Sequence, residues 1–116
     1  MSEESCLFCK IIAGTVPGDF VHQDEHCVVI RDINPQAPMH VLVIPRDHIE
    51  SLDDASQKEE GLLGHLLRVG ARVANDQGYA ENGYRTVINT GAGAGQSVFH
   101  LHVHVLAGRN LHWPPG

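Results

Sequence analysis

The chain has 116 residues, of which 42% are hydrophobic and 19% are charged, and its formal net charge is −6. This length favours one domain, and the composition is that of a globular protein rather than a disordered or fibrous one. The scattered Lys and Arg residues form no basic stripe, so we expect no nucleic acid partner, although a few aimed groups can still hold a small anion.

The N-terminal segment and the cysteines bear on location. MSEESCLFCK has no basic stretch followed by an apolar run, and no apolar run reaches the length of a membrane span, so we expect neither a signal peptide nor a membrane partner. Three cysteines are an odd number, and Cys6 and Cys9 lie three residues apart. This spacing suits a thiol or metal role in a reducing compartment better than a disulfide framework. These features predict a cytoplasmic protein.

The first elements predicted along the chain are a short helix and a hairpin. Apolar residues at helical spacing in SCLFCKIIAG predict a helix that is capped by Ser5 and stopped by Gly14. Strands around 20–23 and 27–31 are predicted on either side of a polar turn. A loop with two prolines follows, and the β-branched run HVLVIP then predicts a third strand.

The second half of the chain predicts one long helix and two more strands. A capping box at Ser56 and Glu59 precedes leucines and valines at helical spacing as far as Gly78. YRTVIN predicts a fourth strand, and FHLHVHVLAG predicts a fifth after a glycine-rich loop. Residues 110–116 form a tail that ends in WPPG. The order of elements predicts a single α+β domain over 1–116 with a mostly antiparallel five-stranded sheet.

Three histidines alternate with apolar residues near the end of the chain. Because successive side chains of a strand point to opposite faces, His100, His102 and His104 are expected on one side and the intervening apolar residues on the other. A neutral imidazole is a good nucleophile toward phosphorus, and a second imidazole can hydrogen-bond the phosphate. Backbone N–H groups of the preceding loop TGAGAGQS can hold the remaining oxygens. The pattern therefore favours phosphoryl or nucleotidyl transfer.

Two other interpretations fit three histidines in phase. The rings can be structural side chains with satisfied hydrogen bonds, or they can hold the metal of a cupin-like oxygen enzyme. The second is disfavoured because only 12 residues follow His104 and none of them is Asp or Glu. The glycine-rich loop matches neither a P-loop nor a dinucleotide fingerprint, since it leads into a strand rather than a helix.

The run HLHVHVL resembles the signature of the histidine-triad nucleotide-binding family, Hint branch, at all seven positions. The resemblance extends to FCKIIAGTVP, RDINPQAPMHVLVIPRDHI, LLGHLLRVG, GYRTVINTGAGAGQSVFHLHVHVLAGR and HWPPG, and thus covers nearly the whole chain. It implies the histidine-triad (HIT) fold and a homodimer whose two sheets join edge to edge. It also implies a purine nucleoside phosphoramidase that cleaves P–N bonds in adenosine 5′-phosphoramidates.

The same resemblance implies catalytic roles for five residues. His102 is implied to attack the α-phosphorus and form a nucleotidyl-histidine, which water then hydrolyses. His104 is implied to hydrogen-bond the phosphate, whereas His100 and His40 are implied to support the nucleophile. The hydroxyl of Ser97 is implied to lie near the leaving group, where it can assist protonation of the departing amine.

A nucleotide site is implied by residues from several parts of the chain. The backbone around Gly95 and Gln96 and the side chain of Asn89 are implied phosphate contacts, and Asp32 is the implied ribose ligand. Trp113 is implied to reach toward the partner's site, although it can equally anchor the tail. Apolar residues implied to surround the base are Leu7, Phe8, Ile11, Ile30 and Ile33. Taken alone, each of these apolar residues is more simply explained by core packing.

The cysteine pair has the spacing of metal ligands. Zinc-bearing members of the family complete such a pair with two histidines, so the resemblance implies the set Cys6, Cys9, His48 and His100. Two cysteines and two histidines suit a structural zinc site closed to substrate. Other Hint members lack the cysteines, so no cofactor is expected for the chemistry and structural zinc is an open alternative. A redox role is disfavoured because no strand is predicted ahead of Cys6.

Two functions follow from these patterns. The first is a hydrolase of purine nucleoside phosphoramidates that acts through His102, and the alternative is a purine nucleotide-binding scaffold whose catalysis is incidental. The remaining histidines His22, His26 and His65 match no functional position, and they are expected on the surface or on a helix face.

Overall fold

A computed structural model describes residues 3–116 and contains five strands and two α-helices in its described part. The helices are α1 (Leu7–Ala13) and α2 (Glu60–Asp76). The strands are β1 (Phe20–Gln23), β2 (Cys27–Arg31), β3 (Met39–Pro45), β4 (Tyr84–Val87) and β5 (Val103–Ala107). The strands form one sheet in the order β1-β2-β3-β5-β4, and each neighbouring pair is antiparallel. This architecture confirms the predicted α+β fold.

The two helices cover opposite faces of the sheet. Alternation along β3 separates the faces, because Val41 and Val43 pack with α2 whereas Leu42 and Ile44 pack with α1. The helix α2 approaches the sheet closely at Gly70, where an added Cβ would lie 3.0 Å from a methyl carbon of Val105. The smaller helix α1 leaves part of its face of the sheet uncovered, and this is where the histidines lie.

The helix ends follow the predicted capping residues with one shift. The cap of α1 is Cys6 rather than Ser5, because the Cys6 thiol accepts the N–H of Cys9 at 3.4 Å. Gly14 ends α1 with φ +84°, as predicted. Ser56 is a cap as predicted, but of a 3-10 turn that runs into α2: its hydroxyl accepts the N–H of Lys58 at 3.2 Å and donates to the carboxylate of Glu59, which replaces the backbone bond of a regular capping box.

The fifth strand is shorter than predicted. The run FHLHVHVLAG suggested a strand from residue 99, whereas β5 begins at Val103 and residues 98–100 bend. The prediction was wrong there because the backbone ahead of β5 bonds elsewhere: the N–H of Leu101 donates to the carbonyl of Ile49 at 2.7 Å. Side chains still alternate, since Leu101 and Val103 both pack on the α2 face.

The described part of the chain contains no helix with the length and apolar character needed to cross a membrane.

The β1–β2 hairpin has the predicted bounds. Asp24 supports its turn, because one carboxylate oxygen accepts the N–H groups of His26 and Cys27 at 2.8 and 2.9 Å.

Candidate active site

A cavity of about 270 Å³ opens on the α1 face of the sheet. Its walls come from α1, from the end of β2 and the residues after it, from β3, and from the chain that leads into β5. All five residues predicted to surround a base line this cavity: Leu7, Phe8, Ile11, Ile30 and Ile33. The polar residues that line it include Asp32, Ser97, His102 and His104, each of which was also predicted. Nine of the predicted residues thus line one cavity.

His102 has a defined proton position in this cavity. Its Nδ1 lies 2.7 Å from the carbonyl oxygen of His100, and because a carbonyl only accepts, Nδ1 carries the proton. Burial is the main reason that the pKa of His102 lies below its ordinary value, so the ring is neutral at pH 7. Nε2 therefore has a free lone pair. Phe8 fixes the ring further by an edge-on contact with centroids 5.0 Å apart.

A second series of hydrogen bonds defines the proton on His104. The backbone N–H of Gln36 donates to His40 Nδ1 at 3.0 Å, so the proton of His40 is on Nε2. That Nε2–H donates to His104 Nδ1 at 2.9 Å, which leaves the proton of His104 on its own Nε2. Burial, followed by the neighbouring rings of His102 and His40, lowers the pKa of His104 to about 4. The cavity therefore contains a neutral imidazole with a free Nε2 lone pair beside a neutral N–H donor.

Asp32 supplies the negative charge of the cavity. One of its oxygens accepts the N–H of Asn34 at 2.8 Å, and the other lies 3.4 Å from His40 Nε2. A carboxylate has further lone pairs, so both oxygens can still accept hydrogen bonds from a ligand. Asp32 is thus able to bind a pair of hydroxyl groups while it favours the observed proton position on His40.

The glycine-rich loop is closed by the side chain of Gln96. Its Oε1 accepts the N–H of Gly91 at 2.8 Å, and its Nε2 donates to the carbonyl of Glu50 at 2.7 Å. The side chain is therefore committed to loop structure. The backbone N–H groups predicted to contact the phosphate are also used within the loop, because Gln96 N–H donates to the carbonyl of Gly91 at 3.1 Å and Gly95 N–H donates to that of Ala92 at 3.0 Å. Gly95 has φ +95°, and Asn89 Nδ2 would lie 3.8 Å from a Cβ added there.

Six residues predicted for catalysis or nucleotide binding do not line the cavity of this single chain: His40, Asn89, Gly95, Gln96, His100 and Trp113. Trp113 is 83% exposed in the tail. Three further residues line the cavity without having been predicted: Arg31, Leu42 and Val98. Leu42 could have been found from strand alternation, because it lies two residues after His40 and opposite His104 in the ladder.

Arg109 supports the loop that orients His40, and its contact could not be predicted. Its Nε donates to the carbonyl of Gln36 at 2.7 Å, across 73 residues of sequence. The same residue, Gln36, gives the N–H that fixes the proton position of His40. No local sequence signal marks such a contact, because it depends on how the turn after β5 meets the loop before β3.

The four predicted metal ligands meet at the start of α1. Cys6 Sγ lies 3.3 Å from His100 Nδ1, and Cys9 Sγ lies 3.3 Å from His48 Nδ1 and 3.5 Å from His100 Nδ1. Ordinary zinc bond lengths in a tetrahedral site separate sulfur and nitrogen ligands by about 3.6 Å. His100 Nε2 donates to the carbonyl of Pro45 at 2.8 Å, which leaves Nδ1 for a metal.

These donors fit a zinc ion, although one histidine lacks the hydrogen bond that usually orients a metal ligand. The nitrogen and sulfur atoms of the four residues all lie within 4.8 Å of one another, and the set is closed by burial of Cys6 and His100. His48 Nε2 is buried without a hydrogen-bond partner, whereas metal-bound histidines normally donate from that atom.

Comparison with known proteins agrees with this geometry. A family model described as "Scavenger mRNA decapping enzyme C-term binding" matches residues 5–112. An uncharacterised HIT-like protein from Synechococcus elongatus is 51% identical over 116 residues, which is 100% of both chains. The crystal structure of a HIT family hydrolase from Legionella pneumophila has a TM-score of 0.95 at 44% identity and covers 97% of this chain and 100% of that one.

A zinc-bound histidine triad family protein from Mycobacterium smegmatis is also similar, with a TM-score of 0.80 at 34% identity over 94% of this chain and 78% of that one. An antiparallel sheet whose last strand in sequence follows and includes histidines of the HLHVHVL run, two of which line the cavity, defines a protein of the histidine-triad class. The chain belongs to the histidine-triad (HIT) family, and it is similar to HIT family hydrolases.

Proposed function

We propose that the protein is a purine nucleoside phosphoramidase of the Hint branch, which hydrolyses the P–N bond of adenosine 5′-phosphoramidates. The observation that carries this proposal is the hydrogen bond from His102 Nδ1–H to the carbonyl of His100. It leaves a neutral Nε2 nucleophile in a cavity that also offers an N–H donor, a carboxylate and apolar walls. Similarity to solved HIT family hydrolases supports the reaction class.

In the first step, the Nε2 lone pair of His102 attacks the α-phosphorus and the P–N bond breaks. The departing nitrogen takes a proton from the hydroxyl of Ser97, which also lines the cavity, and water returns a proton to that hydroxyl. His104 Nε2–H donates to a phosphate oxygen throughout, because its proton is held on that atom by His40. The product of this step is a nucleotidyl-histidine and a free amine.

In the second step, water attacks the same phosphorus and the bond to His102 Nε2 breaks. The pair of electrons returns to Nε2, the proton of the attacking water passes to solvent, and a nucleoside monophosphate leaves. The ring then has its original proton position, because Nδ1–H still donates to the carbonyl of His100. Two displacements of moderate difficulty thereby replace direct hydrolysis.

Nucleotide recognition is proposed to use the opposite side of the cavity. Asp32 has lone pairs free to accept the ribose hydroxyls, and it lines the same cavity as the histidines and the apolar walls. Ile33 is fully exposed at the rim, so a base lying against it would cover apolar surface that now faces water. Adenine is the base that the resemblance to Hint proteins favours.

We also propose that zinc binds the cluster of Cys6, Cys9, His48 and His100. Bound there, it would supply structural cross-linking between α1 and the chain ahead of β5, and no step of the reaction passes through it. The sulfur–nitrogen distances and the zinc-bound histidine triad relative support this assignment. The free thiols also support the proposed cytoplasmic location, where thiols stay reduced.

The proposed homodimer joins two sheets at the β4 edge. β4 is an end strand, and its outer backbone groups are free to pair with a second copy. Two large apolar side chains are exposed beside this edge, Tyr84 of β4 and Leu67 of α2. A symmetric pair of such edges would bury both side chains and bring the exposed Trp113 of each chain close to its partner.

The experiment that tests the enzyme proposal measures amine release from an adenosine 5′-phosphoramidate with a fluorogenic amine. We expect the His102→Ala variant to lose at least about a thousandfold in kcat, because no other group in the cavity can form the covalent intermediate. His26→Ala is the matched control, since it removes an exposed imidazole outside the cavity and is expected to retain wild-type turnover.

Two further readouts complete this experiment. Acid-quenched wild-type enzyme is expected to show the added mass of a nucleotidyl group, and addition of a chelator is expected to leave turnover in place. Wild-type protein that binds adenosine monophosphate but releases no amine would overturn the enzyme proposal in favour of the nucleotide-binding scaffold.

A further inference from the structure

Three side chains outside the proposed active site meet at one carboxylate in the β1–β2 turn. His22 Nε2 and His65 Nε2 each lie 2.9 Å from Asp24 Oδ2, and Cys27 Sγ lies 3.6 Å from the same carboxylate oxygen. His65 comes from α2, on the far side of 41 residues of sequence. The proposed reaction uses none of these residues, and the resemblance to Hint proteins gives them no role.

We propose that this cluster is a second metal site, which binds a divalent cation of the zinc class through Asp24, Cys27 and His65, with water in the fourth position. Ligand atoms of these three residues all lie within 4.8 Å of one another. A set of one carboxylate, one thiolate and one imidazole suits Zn²⁺ or Co²⁺, whereas Mg²⁺ and Ca²⁺ prefer oxygen ligands alone.

The distances in the cluster are close to those of a tetrahedral site. Ordinary zinc bond lengths place carboxylate oxygen and thiolate sulfur about 3.5 Å apart and oxygen and nitrogen about 3.3 Å apart. The oxygen–sulfur distance here is 3.6 Å, and the two oxygen–nitrogen distances are 2.9 Å. Admitting a cation between Asp24 and His65 needs the His65 imidazole to move outward by a few tenths of an ångström, which side-chain rotation in a partly exposed residue allows. His22 lies outside the set of ligand atoms within 4.8 Å of one another, so it serves as a hydrogen-bond partner of Asp24.

Asp24 is held in an orientation that suits a metal ligand. Its Oδ1 is fixed by the N–H groups of His26 and Cys27, which leaves Oδ2 for the cation. Arg46, a nearby cation, donates through Nε to the backbone carbonyl of Asp24 at 2.7 Å rather than to its carboxylate. The carboxylate charge is thus available to a metal.

Access to the cluster is open on one side. The side chains of Asp24, His22 and His65 are 25%, 31% and 34% exposed, whereas Cys27 is fully buried behind them. A hydrated cation can therefore meet the carboxylate and the His65 imidazole first and exchange a further water for sulfur afterwards. Without a metal, the same contacts serve as hydrogen bonds that join α2 to the hairpin.

The test is a Co²⁺ titration of the metal-free full chain, followed by calorimetry and by the visible absorption of the cobalt. The doubly substituted Cys6→Ser, Cys9→Ser protein lacks the first proposed site and keeps Cys27 as its only thiol. We expect this protein to bind one cobalt ion with a thiolate-to-cobalt charge-transfer band. Absence of cobalt binding, or binding without that band, would overturn the proposal.

A matched pair of variants separates metal binding from hydrogen bonding. In the same background, His65→Gln keeps an N–H donor that can reach Asp24 but offers a poor metal ligand, so we expect cobalt affinity to fall at least tenfold with the metal-free thermal midpoint retained. His26→Ala is expected to keep cobalt affinity, because His26 contacts His65 only through its ring. Equal cobalt affinity in the His65→Gln variant and its parent would refute the site.

If the doubly substituted protein does not fold, the number of cobalt ions bound per chain still tests the proposal in proteins that keep Cys6 and Cys9. The wild type is expected to bind one cobalt ion more than His65→Gln, whatever the Cys6 and Cys9 site binds. An equal number of ions in the two proteins would also overturn the proposal. The result is independent of phosphoramidase activity, because none of the substituted residues lines the proposed active site.

Discussion

Acidification from pH 7.5 to pH 4.5 is expected to weaken folding by about 2.5 kcal/mol through His104 alone. Burial and the neighbouring rings lower the pKa of His104 from 6.5 to about 4 in the folded chain. Between these values the unfolded chain binds more protons than the folded chain, so the free energy of unfolding falls as pH drops. The contribution is fully present above pH 6.5 and is lost as pH falls through 4.

The magnitude follows from the two pKa values. They differ by about 2.5, and each pH unit between them is worth about 1.4 kcal/mol, so the complete loss is about 3 kcal/mol. Most of that loss is reached by pH 4.5. The reference variant is His104→Asn, because an amide keeps hydrogen-bonding atoms but does not titrate in this range.

The assay is urea denaturation followed by far-ultraviolet circular dichroism at both pH values and at one protein concentration. The stability advantage of wild type over His104→Asn is expected to shrink by about 2.5 kcal/mol at the lower pH. Proton NMR of the His104 ring should show a midpoint near 4 in the folded state. A constant stability difference, or a midpoint near 6.5, would refute the reasoning that burial keeps this ring neutral.

Three other outcomes can be measured with substitutions. The Gly108→Ala variant is expected to lose more than about 1 kcal/mol of its free energy of unfolding in urea denaturation, because φ is +98° and the new Cβ would lie 2.8 Å from Pro38. The control Gly61→Ala has open space at its Cβ, so its stability should match or exceed that of wild type. In a His65→Gln background, which removes the second proposed metal site, chelation is expected to lower the thermal midpoint when Cys9 is present and to leave it unchanged after Cys9→Ser; equal shifts would count against the proposed zinc. Ser97→Ala is expected to slow release of basic alkylamines about tenfold more than that of arylamines, and uniform slowing would contradict its proton-donor role.

Much of the fold could be predicted because its signals are local. The hairpin bounds, the strand HVLVIP and the end of α1 at Gly14 follow from alternation and glycine conformation, and the structure confirms them. The start of β5 could not be predicted, because the N–H of Leu101 bonds to Ile49 outside the ladder. A periodic sequence indicates which face a residue occupies, but it does not indicate where the hydrogen-bonded ladder stops.

The site shows the same division between local and distant signals. Most of the residues that line the cavity were predicted through a motif and a resemblance, whereas Arg31, Leu42 and Val98 were not. The proton position on His40 could not be predicted from the sequence. It depends on the contact of Gln36 with His40 and on the contact of Arg109 with Gln36. The commitment of the Gln96 side chain to the glycine-rich loop likewise rests on Glu50, which no spacing rule connects to it.

The contact between Cys6 and His100 spans 94 residues, nearly the whole chain. Closing so long a loop early in folding is entropically unfavourable, so the contact is expected to form late, after β3 and β5 have paired. A nascent chain that ends before His100 cannot complete the four-ligand cluster. Metal binding at this cluster would therefore occur only in chains in which Cys6 already lies near His100. Loss of the metal would first release the N-terminal helix.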